Sequence, residues 1–280
     1  MSRSRRHHYV PKWLLRRFCF SGKSLYYYSR HAADKGVHAR NINSVFYGSH
    51  LNSVCYRTGV IDDGLERGLY QKLDDEAACF VAEVEAAIDA GYEPYVVDES
   101  KAFVAHLFYN QFKRTKEFHD HVGLHLSIKD MLKNVAATVE AEFGMSDQER
   151  RDFFHPDSVR EDEDYVRTQV LAHQGDTVLK ALAALIPVFA IAPTGREFII
   201  GGRPVAAFPD PHAQYGREYW MPINPTTAIG LVGETPVNRE RRIFAISTDQ
   251  VRRLNIGWSK QSETFAGKNR NLVQSLVSPR

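Results

Sequence analysis

Apolar residues recur at helical spacing through residues 62–90, at Leu65, Leu69, Leu73, Phe80, Val84 and Ile88, with acids and amides between them. Steps of three and four place them on one stripe, which predicts an amphipathic helix that Gly91 ends. A second helical pattern opens at Asp98 or Ser100 and runs to about His121 through Phe103, Leu107, Phe108 and Phe112. Residues 124–143 predict a third helix and residues 146–153 a short one that Pro156 ends. A long helical segment is expected from Asp157 to about Ile186, bent or broken by Gly175 and Pro187. Its most apolar part, residues 177–192, reads as a buried helix, too short to span a bilayer.

Towards both ends the grammar changes. Leu25-Tyr26-Tyr27-Tyr28 follows a Ser21-Gly22 turn and predicts a strand over residues 24–29. After Pro193, short runs at 197–200, 217–221, 228–232, 242–246 and 262–265 are strand candidates separated by Gly, Pro and Asn turns. A helix capped by Thr248 is expected between the last two. Helices in the middle and strands at both ends imply an α+β fold: a helix-rich middle with a small mixed or antiparallel sheet built from N- and C-terminal strands. The expected organisation is a single domain over 1–280, with a signature helix and strand in 1–60, a helical part in 61–192 and a strand-rich part in 193–280. Residues 24–29 are expected to pair with the C-terminal sheet.

Composition narrows the function classes. The 36 basic and 34 acidic residues give a formal net charge of +2, so no global field steers the chain to nucleic acid. Positive charge is local, as at Arg16-Arg17 and Arg252-Arg253. Cys19, Cys55 and Cys79 are odd in number and lack metal-ligand spacing, which suggests a reducing compartment and a cytoplasmic protein. No apolar stretch of signal-peptide length follows the basic N-terminus, and no membrane partner is expected. There is no Walker A loop, G-x-S-x-G elbow or cysteine zinc pattern. Cofactor, metal requirement and oligomeric state stay unknown at this level.

The chain is organised around His7-His8-Tyr9-Val10-Pro11-Lys12-Trp13-Leu14-Leu15-Arg16-Arg17-Phe18. Pro11 suits a first helical position and biases Val10 towards an extended conformation. Tyr9-Val10 is therefore expected to be extended and residues 11–18 helical, with Trp13, Leu14 and Phe18 on the apolar face. The two histidines then sit near a helix N-terminus, a place that favours anions.

These residues carry a family likeness. His7-His8-Tyr9-Val10-Pro11 with Leu15 and Phe18 closely resembles the N-terminal signature of the bacterial domain-of-unknown-function family 4238. The likeness extends through Phe46-Tyr47, Glu76, Gln111-Phe112-Lys113-Arg114-Thr115, residues 198–205, Met221-Pro222-Ile223-Asn224-Pro225 and Asn255. Where the family pattern has Ser-Asp-Asn before a proline, this chain has Gly201-Gly202-Arg203 before Pro204. The resemblance implies a shared fold and a shared site but names no activity.

The sharpest site candidate gathers His7 and His8 as acid and base with Gln111, Arg114 and Arg203 as ligand-binding residues. Gln111 and Arg114 are three apart and share a helical face. Arginine suits phosphate or carboxylate, and histidine moves protons near neutral pH. This set fits a phosphate-bearing ligand or nucleic acid, with phosphodiester chemistry as the concrete reaction. The competing expectation is a non-catalytic interaction or structural protein in which Gln111 and Arg114 hold the N-terminal segment through buried hydrogen bonds. An HNH-type nuclease is a third idea, from the Asn41 and His50 spacing with His8 and Pro11, although residues 51–55 make a poor helix. His119, His121 and His125 read as an exposed helix end, and Glu161-Asp162-Glu163-Asp164 as a solvated acidic first turn.

Overall fold

The structure is a computed structural model that describes residues 6–94, 96–125, 128–213 and 215–277, with side chains for these except at 121–125 and 128–129. It is 51% helical and 20% strand, an α+β protein. Two compact units divide it: a smaller one of Met1–His7, Gly48–Lys72 and Lys116–Gln174, and a larger one of His8–Tyr47, Leu73–Thr115 and Gly175–Arg280. Among the described residues no helix is long and apolar enough to cross a membrane.

The larger unit is built on a five-stranded mixed sheet. Strand Ile186–Ile191 pairs antiparallel with Thr227–Val232 on one side and parallel with Ile243–Ala245 on the other. Arg217–Pro222 and then Ala206–Pro209 complete it. Side chains alternate between two cores, as the period of a strand requires. Ile186, Val188 and Ala190 join Trp220, Ala228, Trp258 and Phe265. Phe189 joins Met221, Ile229 and Leu231 with Leu73, Val81, Val104 and Phe108 of the helices Gln71–Asp89 and Asp98–Lys113.

Burial on both faces corrects the expectation of a helix over residues 177–192. The helix Asp176–Ala183 takes the first half of that run, and the second half is the central strand. A strand covered on both faces reads as a continuous apolar run, so periodicity alone does not separate it from a buried helix. Pro187 is tolerated because the parallel neighbour begins opposite Phe189, and no ladder donor is needed at Pro187.

A second, antiparallel sheet joins the two ends of the chain as expected. Ser24–Ser29 lies between His38–Asn41 and Thr264–Gly267, with Tyr28 opposite Phe265, and Ile200–Gly201 forms the far edge. The helix Thr248–Lys260 packs beside these strands. Its cap is Ser247, through a reciprocal capping box with Gln250, rather than Thr248. Trp258 on this helix is fully buried and donates its indole N–H to the Trp220 carbonyl at 3.1 Å.

The smaller unit is mainly helical. It contains Lys116–His125, Ile128–Phe143, Asp147–Phe153 and Pro156–Ala172, with a ribbon of Val54–Cys55 and Ile61–Asp62 and a π-helical stretch at Leu65–Tyr70. The acidic run begins five residues into the Pro156–Ala172 helix, and two of its members are not merely solvated. Asp164 accepts the Cys55 amide at 3.2 Å and pairs with Arg167 at 2.6 Å, while Glu161 accepts the Arg57 amide at 3.0 Å.

The central sheet yields a stability test. A Cβ at Gly230 would stand 2.7 Å from the Trp220 ring on the paired strand. Gly230→Ala is expected to lower the unfolding free energy by about 1–3 kcal/mol, read by denaturant titration, as overpacking of a tight core does.

Candidate functional site

The signature helix forms but is one residue shorter at each end than expected: it is Lys12–Arg17, with Pro11 as its N-cap rather than its first helical residue. Val10, Leu14, Leu15 and Phe18 are fully buried, which anchors an element too short to be stable alone. Tyr9 donates its amide to the Phe46 carbonyl at 3.0 Å.

The Asp98–Lys113 helix meets this segment through two side chains one turn apart. Gln111 donates to the Tyr9 carbonyl at 2.7 Å. Arg114, at the C-cap of the helix and 1% exposed, donates to the His8 carbonyl at 2.9 Å and forks onto Asp74 at 2.7 and 3.3 Å. Two successive backbone carbonyls of the signature are thus caught by one helical face. The His8 ring is buried, and its Nε2 donates to the Ile42 carbonyl at 3.0 Å.

Arg203 does not share these hydrogen bonds. Its guanidinium lies 5.4 Å from the Phe112 ring centroid, a cation–π contact, and its amide donates to Ser262 Oγ at 3.1 Å. The preceding glycines have a packing reason. A Cβ at Gly201 would lie 2.3 Å from Ser262 Oγ, and one at Gly202 would lie 2.8 Å from Thr264 Oγ1. A side chain at either position requires these hydroxyls to move, with backbone carbonyls at 3.2 and 3.3 Å behind them.

His7 belongs to the smaller unit and His8 to the larger. His7 is 2% exposed, and its Nδ1 accepts the Asn52 amide at 3.1 Å, which places the ring hydrogen on Nε2. The His50 ring meets it edge-on at 6.4 Å. Asn52 donates to Glu66 at 2.7 Å, and the next residue, Ser53, donates to Asp63 at 2.8 Å. The Ser53 carbonyl accepts Arg167 at 3.3 Å. His119 is buried, and burial together with the Arg167 and Lys116 charges pushes its pKa down to about 3. Several buried atoms of this group have no hydrogen-bond partner: both His119 ring nitrogens, His50 Nδ1, Asn52 Oδ1 and Arg167 Nε. Buried polar atoms ordinarily find partners, so this concentration sets the group apart.

Other candidates separate from it. Asn41 lies in the larger unit and caps the turn Ile42–Ser44 by accepting the Asn43 amide. Residues 50–52 form a turn that leads into a strand, not the helix an HNH site needs. The His121 and His125 side chains lie outside the described residues. No group of three or more His, Cys, Asp or Glu among the described residues is arranged to hold a metal. A cleft of about 770 Å³ lies along the Thr248–Lys260 helix, lined by none of His8, Gln111, Arg114 or Arg203.

Sequence reasoning missed Asp74, Asn52 and Arg167. A buried arginine announces the need for a carboxylate, but nothing local selects Asp74 among the chain's 34 acidic residues. The family described as "Protein of unknown function (DUF4238)" matches residues 6–270, nearly the whole chain. No curated protein and no solved structure matches it.

The state of His119 gives a pH test. Its folded pKa lies below the ordinary 6.5, so the unfolded chain binds the extra proton and its contribution to stability is complete only above pH 6.5. Unfolding free energy is expected to fall with acidification from pH 6.5 towards about 3, by up to about 1.4 kcal/mol per pH unit from this group. Denaturant titrations across that range are expected to show a shallower slope for His119→Leu.

Proposed function

We propose, on the premise that the chain belongs to the DUF4238 family of proteins of unknown function, that its signature serves to hold the fold. In this reading the chain is a non-catalytic interaction or structural protein as far as His8, Gln111, Arg114 and Arg203 are concerned. The observation that carries it is the engagement of Arg114: both terminal nitrogens of this buried guanidinium donate within the protein, to Asp74 and to the His8 carbonyl. A phosphate ligand would have to displace both, at the cost of separating the half-buried Asp74 carboxylate from its cation.

One observation favours a second reading, a phosphate-ligand or nucleic-acid-acting protein of the phosphodiesterase kind. It is the group of His7, His50, His119 and Arg167, with unpartnered nitrogens at all but His7. Here His7 is the signature residue available for proton transfer. The His7 ring supplies a nitrogen for proton transfer, and Arg167 supplies a cation for a developing phosphate charge.

The two readings part on stability and activity. Arg114→Ala is expected to lower the unfolding free energy by about 1.5–3 kcal/mol, because the half-buried Asp74 loses its charged donor and the His8 carbonyl loses its own. The Arg114→Met, Asp74→Leu double variant is expected to recover much of that loss, since both charges leave together. A panel of phosphodiester substrates, with and without divalent metal, compares wild type with His7→Ala and His8→Ala. The first reading expects no turnover by any of them. Turnover by wild type that vanishes in folded His7→Ala would establish the second reading instead.

A further inference from the structure

The cleft of the larger unit stands apart from the signature. It opens between the helices Thr248–Lys260 and Arg270–Ser275 and the turn at residues 195–197, and its volume of about 770 Å³ suits a small-molecule site. Four cations line it, Arg30, Arg196, Arg252 and Lys260, against the carboxylates of Glu197 and Asp249. Arg30 is fixed at the wall by the Ser259 and Ser262 carbonyls, at 2.9 and 3.3 Å. Among the described residues none of the four has a carboxylate partner. Some arginines elsewhere in this unit are paired, as Arg17 with Glu85, Arg239 with Glu234 and Arg253 with Glu218; the cleft differs in gathering its unpaired cations around one hollow. Unpaired cations gathered around a hollow create a local positive potential that an anion relieves.

The rest of the lining says what else the anion carries. Val251, Leu272 and Leu276 give the cleft an apolar side, which suits an organic body rather than a bare inorganic ion. One carboxylate oxygen of Glu197 is buried and accepts no hydrogen bond, so it calls for a donor such as a hydroxyl or amine. Asn255 fixes the backbone at that point, donating to the Glu197 carbonyl at 2.9 Å and accepting the Ile199 amide at 3.0 Å.

We infer that this cleft binds an organic phosphate of nucleotide size. The phosphate meets the arginines and lysine, the ring or chain lies on Leu272 and Leu276, and a hydroxyl or amine donates to Glu197. Neither reading of the signature is needed for this.

Calorimetric titration of the full chain with the nucleoside 5′-monophosphates, with adenosine and with inorganic phosphate tests it. At least one monophosphate is expected to bind saturably, while adenosine and inorganic phosphate each bind at least about tenfold more weakly. Arg196 and Arg252 are exposed, so Arg196→Ala and Arg252→Ala are expected to stay folded by circular dichroism. Each is expected to weaken the monophosphate by about ten- to a hundredfold, the worth of a hydrogen bond to a charged group. The inference is overturned if no monophosphate binds up to about 1 mM, the weak end of specific recognition. Binding unchanged by both substitutions overturns it too, as does inorganic phosphate binding as tightly as the monophosphates.

Discussion

A guanidinium without access to water cannot stand alone, and much of the order at the N-terminus follows from that. Removing such a charge from water costs several kcal/mol even after relaxation, so it persists only with a carboxylate and further acceptors around it. Arg114 meets both conditions: Asp74 takes two of its donors and the His8 carbonyl another. Its place at a helix C-cap adds the negative end of the helix dipole. The ion pair therefore ties two helices and the signature segment at one point. One turn earlier, Gln111 catches the Tyr9 carbonyl. The chain then runs through Pro11 into the Lys12–Arg17 helix, whose buried leucines complete the anchoring.

What the sequence made legible was local. The Gln111 and Arg114 spacing fixed a shared face, Pro11 fixed where the helix begins, and Leu25-Tyr26-Tyr27-Tyr28 announced a strand that pairs with the C-terminal Thr264–Gly267. What stayed hidden depended on distant partners. Asp74 is 40 residues from Arg114, and no local pattern joins them. The central strand Ile186–Ile191 passed for helix because two neighbours and two cores cover it, which erases the alternation. The division of His7 from His8 was equally invisible, since adjacent residues of a strand face opposite ways and what each meets is set by segments far along the chain.

That division changes where function is sought. His8, Gln111 and Arg114 donate to backbone carbonyls and to Asp74, and Gly201-Gly202 sit tightly against the Ser262 and Thr264 hydroxyls. The residues left with chemistry to offer lie elsewhere: the His7 group of the smaller unit, and the cationic cleft beside Asn255 in the larger one. On the proposed reading, a strong sequence signature marks a structural requirement, and ligand chemistry need not coincide with it.

The central claim, that the helix face of Gln111 and Arg114 holds the signature segment His8-Tyr9, is tested most directly by native-state hydrogen exchange of the Tyr9 amide. Gln111→Met keeps the bulk of the side chain and removes its donor. The account predicts that Tyr9 protection falls by about tenfold, the worth of one buried hydrogen bond, while Phe265 and Ala266 amides keep theirs. Tyr9 protection equal to that of the wild type would contradict it.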